Sequence, residues 1–137
     1  MFSDEVQIRV RYAETDQMGY VYYGNYATYF EVGRVESLRK LGLSYKEMEA
    51  SGIMLPVLEY HSKFIKPAVY DDLLTIKTII PELPKVRIHF IYEIYNQQNI
   101  LLTTGETTLV FINSETKKPC APPADFLSKI KYHFTDN

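Results

Sequence analysis

The chemistry is concentrated in Glu14-Thr15-Asp16-Gln17-Met18-Gly19-Tyr20-Val21-Tyr22-Tyr23-Gly24-Asn25-Tyr26. Its acid, Asp16, precedes by seven to nine residues a stretch whose pattern turns helical from about Tyr23. Amides at a helix start lack intrahelical partners and carry partial positive charge. They suit a carbonyl oxygen that becomes negative as its carbon is attacked. A carboxylate beside that point can attack the carbon itself or take a proton from water. Gly24, with no side chain, lets a ligand come close to the backbone. The same residues also suit a plainer role, with Asp16 holding a turn and Asn25 capping the helix.

Other groups bear on the same chemistry. Glu31 lies eight residues beyond Tyr23, two turns along the helix. It is either a second acid or a partner for Arg34 or a neighbouring strand. Lys85 and Arg87, just after Pro84, are basic groups able to meet phosphates, as are Lys63 and Lys66. Such side chains also commonly face water. His61, His89 and His133 are far apart in sequence, and Cys120 is the one cysteine, so no metal cluster and no disulfide are expected. Tyrosine is 12 of 137 residues against no tryptophan, with five between Tyr20 and Tyr29. An apolar body with a polar tip suits clefts and interfaces, and packs equally well in a core. Tyr22, Tyr26 and Tyr29 are expected in the core or in the wall of an acyl pocket.

The elements that must position these groups follow from periodicity. Val6 to Tyr12 alternates as a half-buried strand. Tyr23 to Leu41 is helical, and its first two turns are apolar nearly all round, which predicts burial. Gly33 in mid-helix costs up to about 1 kcal/mol against alanine, so it is expected where another element approaches closely. Gly42 suits the helix end. Ser44 with Glu47 forms a capping-box pattern for a short helix that Gly52 closes. Strands follow at Val57–Ile65, Leu73–Ile80 and Val86–Ile94, then a turn at 96–99. Ile100–Ile112 reads as a long strand with Gly105 a bulge candidate. A loop from Asn113 to Pro123 leads to a weak helix near Phe126–Ile130. The pattern predicts one α+β domain over residues 1–137, an antiparallel sheet curled round a long central helix.

Composition bounds the partners. The chain is 46% hydrophobic and 23% charged, with a net charge of −2. That balance argues against nucleic acid and against a polybasic membrane contact. The opening MFSDEVQIRV has no leader pattern, and no run approaches 18 apolar residues. The expectation is a cytoplasmic protein with no membrane partner.

Asp16 through Tyr26, with Tyr29-Phe30-Glu31 and Leu41-Gly42, resembles the motif of the 4-hydroxybenzoyl-CoA thioesterase-like hotdog family. Lys66-Pro67-Ala68 and Asp71-Asp72-Leu73-Leu74 extend the similarity, which runs over about residues 5 to 123. The resemblance implies a hotdog fold, with a five-stranded antiparallel sheet wrapped round the helix. It implies a homodimer, often paired into a homotetramer, with the active site at the subunit interface. It implies a hydrolase acting on an acyl or aryl thioester of coenzyme A, with no cofactor beyond the coenzyme A of the substrate. Asp16 then matches the catalytic nucleophile or base, and Tyr23 the residue whose amide polarises the carbonyl. Gly19, Gly24, Asn25 and Tyr26 match positions that shape the substrate site, and Lys85 and Arg87 are candidates for the phosphates. Tyr23 stands where many relatives carry histidine, Glu14 where many carry aspartate, and Gly24 where alanine, serine or proline is commoner. These departures leave the acyl preference open. The alternatives are an acyl-carrier-protein thioesterase and a non-catalytic thioester-binding protein.

Overall fold

The computed structural model describes residues 1–134. Chain order gives β1 (Phe2–Arg9), α1 (Asn25–Lys40), α2 (Tyr45–Ala50), β2 (Ile53–Met54), β3 (Val57–Phe64), β4 (Leu73–Ile80), β5 (Arg87–Tyr95), β6 (Leu101–Val110), β7 (Ile112–Asn113) and α3 (Ala124–Ile130). Five strands form one antiparallel sheet in the order β1-β4-β5-β6-β3, and β2 pairs with β7 in a small ribbon. Helix α1 lies on one face of the large sheet. This is the hotdog arrangement, and the two-residue β2 and β7 are its additions to the expected element order.

Alternation sets the packing. In β4 and β5 every second side chain is buried: Leu74, Ile76, Thr78 and Ile80, then Ile88, Phe90, Tyr92 and Ile94. Burying each of the large apolar ones contributes about 1.5–3 kcal/mol. Against them α1 buries Tyr26, Tyr29, Phe30, Gly33 and Leu38. Phe30 stacks on Tyr92, with ring centroids 4.4 Å apart. A Cβ on Gly33 would stand 2.5 Å from Thr78 Oγ1, so this glycine lets α1 press onto β4. Gly105 pairs in regular register with Tyr92 and Ser62 and is no bulge. A Cβ there would stand 2.5 Å from the Phe30 ring, so the missing side chain makes room for that ring. The irregularities fall instead at Val57/Glu59 and Ile94/Tyr95.

The caps agree with the sequence. Gly42 (φ +82°) follows α1 and Gly52 (φ +93°) follows α2, both left-handed. Ser44 Oγ accepts from Glu47 N at 3.3 Å. Three expectations shift. The first strand starts at Phe2, because pairing with β4 runs out to Phe2–Ile80, and it ends at Arg9. Helix α1 is not buried all round, since Ala27, Thr28 and Glu31 are exposed beyond the sheet's cover. Strand β3 is not half-buried: all its residues but Ser62 are exposed, because it is the sheet's outer strand and α1 covers it incompletely. Among the described residues no helix is long and apolar enough to cross a membrane.

Candidate active site

The chain leaves β1 at Val10, whose amide bonds the Asp72 carbonyl at 2.9 Å. A single 3-10 turn at Tyr12–Glu14 follows. Glu14 closes it, accepting from the Arg11 amide at 2.9 Å and from Arg11 Nη2 at 3.1 Å. Tyr12, expected in the strand, is therefore turned out, 77% exposed, with its ring edge-on to Tyr70.

The backbone then doubles back. Asp16 N donates to Tyr20 O at 2.7 Å, and Gly19 N to Asp16 O at 3.0 Å. Gly19 has φ +80°, and nothing lies within 4 Å of an added Cβ, so the turn needs its left-handed backbone and not its small size. Asp16 Oδ1 accepts from Met18 N at 2.8 Å and Tyr20 N at 3.2 Å. Its Oδ2 takes no hydrogen bond among the described residues. The turn role and the chemical role thus coexist: one oxygen holds the turn and the other is free.

This hairpin docks on the connection between β3 and β4. Thr15 bridges to Val21, Tyr20 bridges to Val69, and Val21 N donates to Ala68 O at 2.9 Å. Asp16 is thereby brought beside the end of β3. Asp16, Tyr23 and Tyr26 share a cavity of about 380 Å³ with Met18, Phe64 and Lys66. The walls are mostly apolar, and Lys66 is their one cation. Phe64 also meets Tyr26 edge-on at 5.0 Å. Phe64 and Ile65 were not among the sequence candidates. No local pattern in the sequence marks them, and in the structure both are about half exposed.

At the helix start the Tyr22 amide is used by Glu14 O at 2.9 Å. The amides of Tyr23 and Gly24 have no partner among the described residues. They immediately precede α1, at the end where unsatisfied donors and the helix dipole coincide. Asn25 does not cap the helix; its Nδ2 reaches back to Glu14 O at 2.8 Å. Gly24 is not open space, since the Tyr22 ring lies 2.9 Å from where a Cβ would sit.

Two sets of candidates lie elsewhere. Glu31 makes none of the ion pairs found among the described residues, although it lines one cavity with Arg34. The Arg34 guanidinium, buried, donates to Tyr92 Oη at 3.1 Å and to Tyr45 Oη at 3.4 Å. Tyr92 hydrogen-bonds Thr107 Oγ1 at 2.6 Å. Burial pushes the Tyr92 phenol up to about 12, against the opposing pull of Arg34. Lys85 and Arg87 line a separate hollow with Leu83, Val86 and His89. Arg87 pairs with Val110 and Phe64 with Thr103, seven residues apart on β6. At roughly 3.3 Å per residue, the two ends of the sheet are about 23 Å apart. Within one chain, Lys85 and Arg87 do not meet Asp16.

A family model described as the thioesterase-like superfamily matches residues 10–130. The Escherichia coli acyl-CoA thioester hydrolase YbgC is 31% identical over 124 residues, 90% of this chain and 92% of that protein. The chloroplastic acyl-acyl carrier protein thioesterase ATL3 of Arabidopsis thaliana is 34% identical over 133 residues, 95% of this chain and 68% of that protein. The structure is similar to a DHNA-CoA thioesterase from Staphylococcus aureus, with a TM-score of 0.85 at 41% identity. That match covers 88% of this chain and 81% of the other.

Proposed function

The chain belongs to the thioesterase-like superfamily, and from that premise we propose that it hydrolyses acyl-CoA thioesters with Asp16 and the Tyr23 amide as its working groups. One observation carries the reading. Asp16, with a free carboxylate oxygen, and Tyr23, with an unpaired amide at a helix start, line one largely apolar cavity. An acyl group suits those walls, and a thioester carbonyl suits the amide.

Asp16 acts on the carbonyl carbon by attack or by taking a proton from water. In either case the carbonyl oxygen gains charge and the Tyr23 amide holds it. The carbon–sulfur bond then breaks, the thiolate leaves and takes up a proton, and water supplies the oxygen of the free acid. In the attack route the mixed anhydride on Asp16 is hydrolysed in a second step. Gly19 and Asn25 serve the geometry of the loop, and Tyr26 and Phe64 wall the acyl group. The acyl group is alkyl or aryl.

The site is completed by a second copy of the chain. Strand β3 is a sheet edge with exposed Tyr60 and Phe64. Pairing two β3 strands antiparallel about a two-fold axis sets the Val57 end of one beside the Phe64 end of the other. The partner subunit's Lys85 and Arg87 then come to the same end as Asp16. The phosphates of an extended coenzyme A would meet them there, and two such dimers would make a tetramer. The similarity to a carrier-protein thioesterase supports a second reading, in which the thioester arrives on an acyl carrier protein.

The test is free-thiol release from a panel of alkyl and aryl acyl-CoAs and from acyl carrier proteins, with wild type and Asp16→Asn compared. Turnover of a coenzyme A member that falls about 10²–10⁴-fold in the variant is expected. Turnover on carrier-protein substrates alone would favour the second reading. Equal rates in both proteins would remove Asp16 from the chemistry.

A further inference from the structure

Asp16 and the Tyr23 amide can act together only if the loop joining them keeps its shape. That loop has little core of its own: Met18, Tyr20, Tyr22 and Tyr23 are all exposed. Besides the docking of Tyr20 and Val21 on the β3–β4 connection, Glu14 holds it at its root. The Glu14 carboxylate, with 12% of its side chain exposed, accepts four hydrogen bonds. Oε1 takes the Arg11 amide at 2.9 Å and the Tyr29 hydroxyl at 3.0 Å. Oε2 takes Arg11 Nη2 at 3.1 Å and Nε at 3.3 Å. The Glu14 carbonyl takes two more, from Asn25 Nδ2 at 2.8 Å and Tyr22 N at 2.9 Å.

These bonds do not all weigh the same. The Arg11 side chain is exposed, so its fork on Oε2 contributes little. The Tyr29 ring is 1% exposed and fixed in the core on α1. Its hydroxyl and the Arg11 amide are the inner anchors. Glu14 therefore ties the end of β1, the root of the Asp16 loop and the first turns of α1 to one another. A carboxylate has the four acceptor sites this takes, and an amide does not.

We propose that Glu14, anchored by Tyr29 and Asn25, is a positioning residue that sets Asp16 against the Tyr23 amide. The proposal rests on the catalytic reading above for what is positioned, but not for the tether itself. Glu14 touches no substrate and acts through Asp16.

The experiment uses the full-length protein and the variants Glu14→Gln and Tyr29→Phe, the second a milder cut that keeps the buried ring. The first readout is amide hydrogen exchange. Amides of residues 16–22 are expected to exchange about tenfold or more faster in both variants, while those of β4 and β5 keep wild-type protection. Unchanged exchange in the loop of a folded variant overturns the proposal, whatever the activity. The second readout is kinetic, on the acyl-CoA that the wild type turns over best. Glu14→Gln should lower kcat about ten- to a hundredfold, as expected for a misplaced reacting group. KM should stay within about twofold. In the Asp16→Asn background the same change should cost less than about twofold, because the group it positions is gone. An equal loss in both backgrounds means Glu14 does not act through Asp16 and overturns the positioning role. A wild type silent on every thioester would instead remove the catalytic reading, and the exchange result would still decide the tether.

Discussion

The Tyr23 side chain is spare in the proposed chemistry, because the residue works through its backbone amide. The phenol is 66% exposed, and its partner is its neighbour Tyr22, through the ring and a side-chain hydrogen bond. Tyr23→Phe should therefore keep kcat within about twofold, whereas Tyr23→Pro, which deletes the N–H, should lower it about 10²–10³-fold. Steady-state kinetics on both, with thermal melts to confirm folding, separates the two roles. Glu14 has a pH signature. Burial pushes its carboxyl up, but hydrogen bonds from Arg11 and Tyr29 outweigh that and hold it below the ordinary glutamate value of 4.5. A carboxylate lowered on folding stabilises above its unfolded value, and that contribution is lost as pH falls through the folded one. The stability gap between wild type and Glu14→Gln, from urea unfolding, should be full at pH 6 and shrink below about pH 4. At this scale the sequence was readable where a function is local. Asp16 and the helix start are neighbours in the chain, so their spacing alone put them forward as candidates. Phe64, Ile65 and Lys66 reach the cavity only through the docking of Val21 on Ala68 and Tyr20 on Val69, and no local pattern encodes that contact.

Among the elements, the seat of α1 on the sheet depends on two missing side chains. Alanine at Gly33 would gain up to about 1 kcal/mol of helix propensity. It would also force a Cβ to 2.5 Å from Thr78 Oγ1 and 3.0 Å from Ile76 Cγ2, both on β4, an inner strand of the sheet. Overpacking of that kind costs about 1–3 kcal/mol, so the clash wins. Gly105→Ala drives into the Phe30 ring and should cost about the same, since the gain over glycine within a strand is again smaller than the clash. Denaturant midpoints of both variants are expected to fall. Residue spacing located β4 and β5 almost to the residue, because both are covered on one face and alternate cleanly. It misjudged β1, whose N-terminal half carries Ser3, Asp4 and Glu5, polar residues held in the sheet by pairing with β4 and not by burial. It misread Gly105 for a related reason. A glycine that admits a distant ring and a glycine that breaks register look alike in sequence.

For the molecule as a whole, the unfinished surface is β3. Val57, Leu58, Tyr60, Phe64 and Ile65 are each 45–49% exposed, and the face of α1 beside them carries a cavity of about 300 Å³ lined by Glu31, Arg34 and Tyr60. Apolar exposure along one strand edge is what a second copy would cover. Light scattering is expected to give a dimer or a multiple of it, and Leu58→Lys should shift the mass towards the monomer. Unchanged mass in the variant, or a monomeric wild type, would detach the site from any partner.

The opposite edge of the sheet is different in kind. Along β1, Ser3, Glu5, Gln7 and Arg9 point outward, and Lys40 Nζ binds both Asp4 Oδ1 and Glu5 O at 3.0 Å. One edge is thus guarded by charge and the other is open. In the language of polymerisation, the sheet has a valence of one. A chain with two sticky edges would add copies end to end without limit. A chain with one can only pair and stop, so under the proposed β3 pairing continuous sheet growth would end at two.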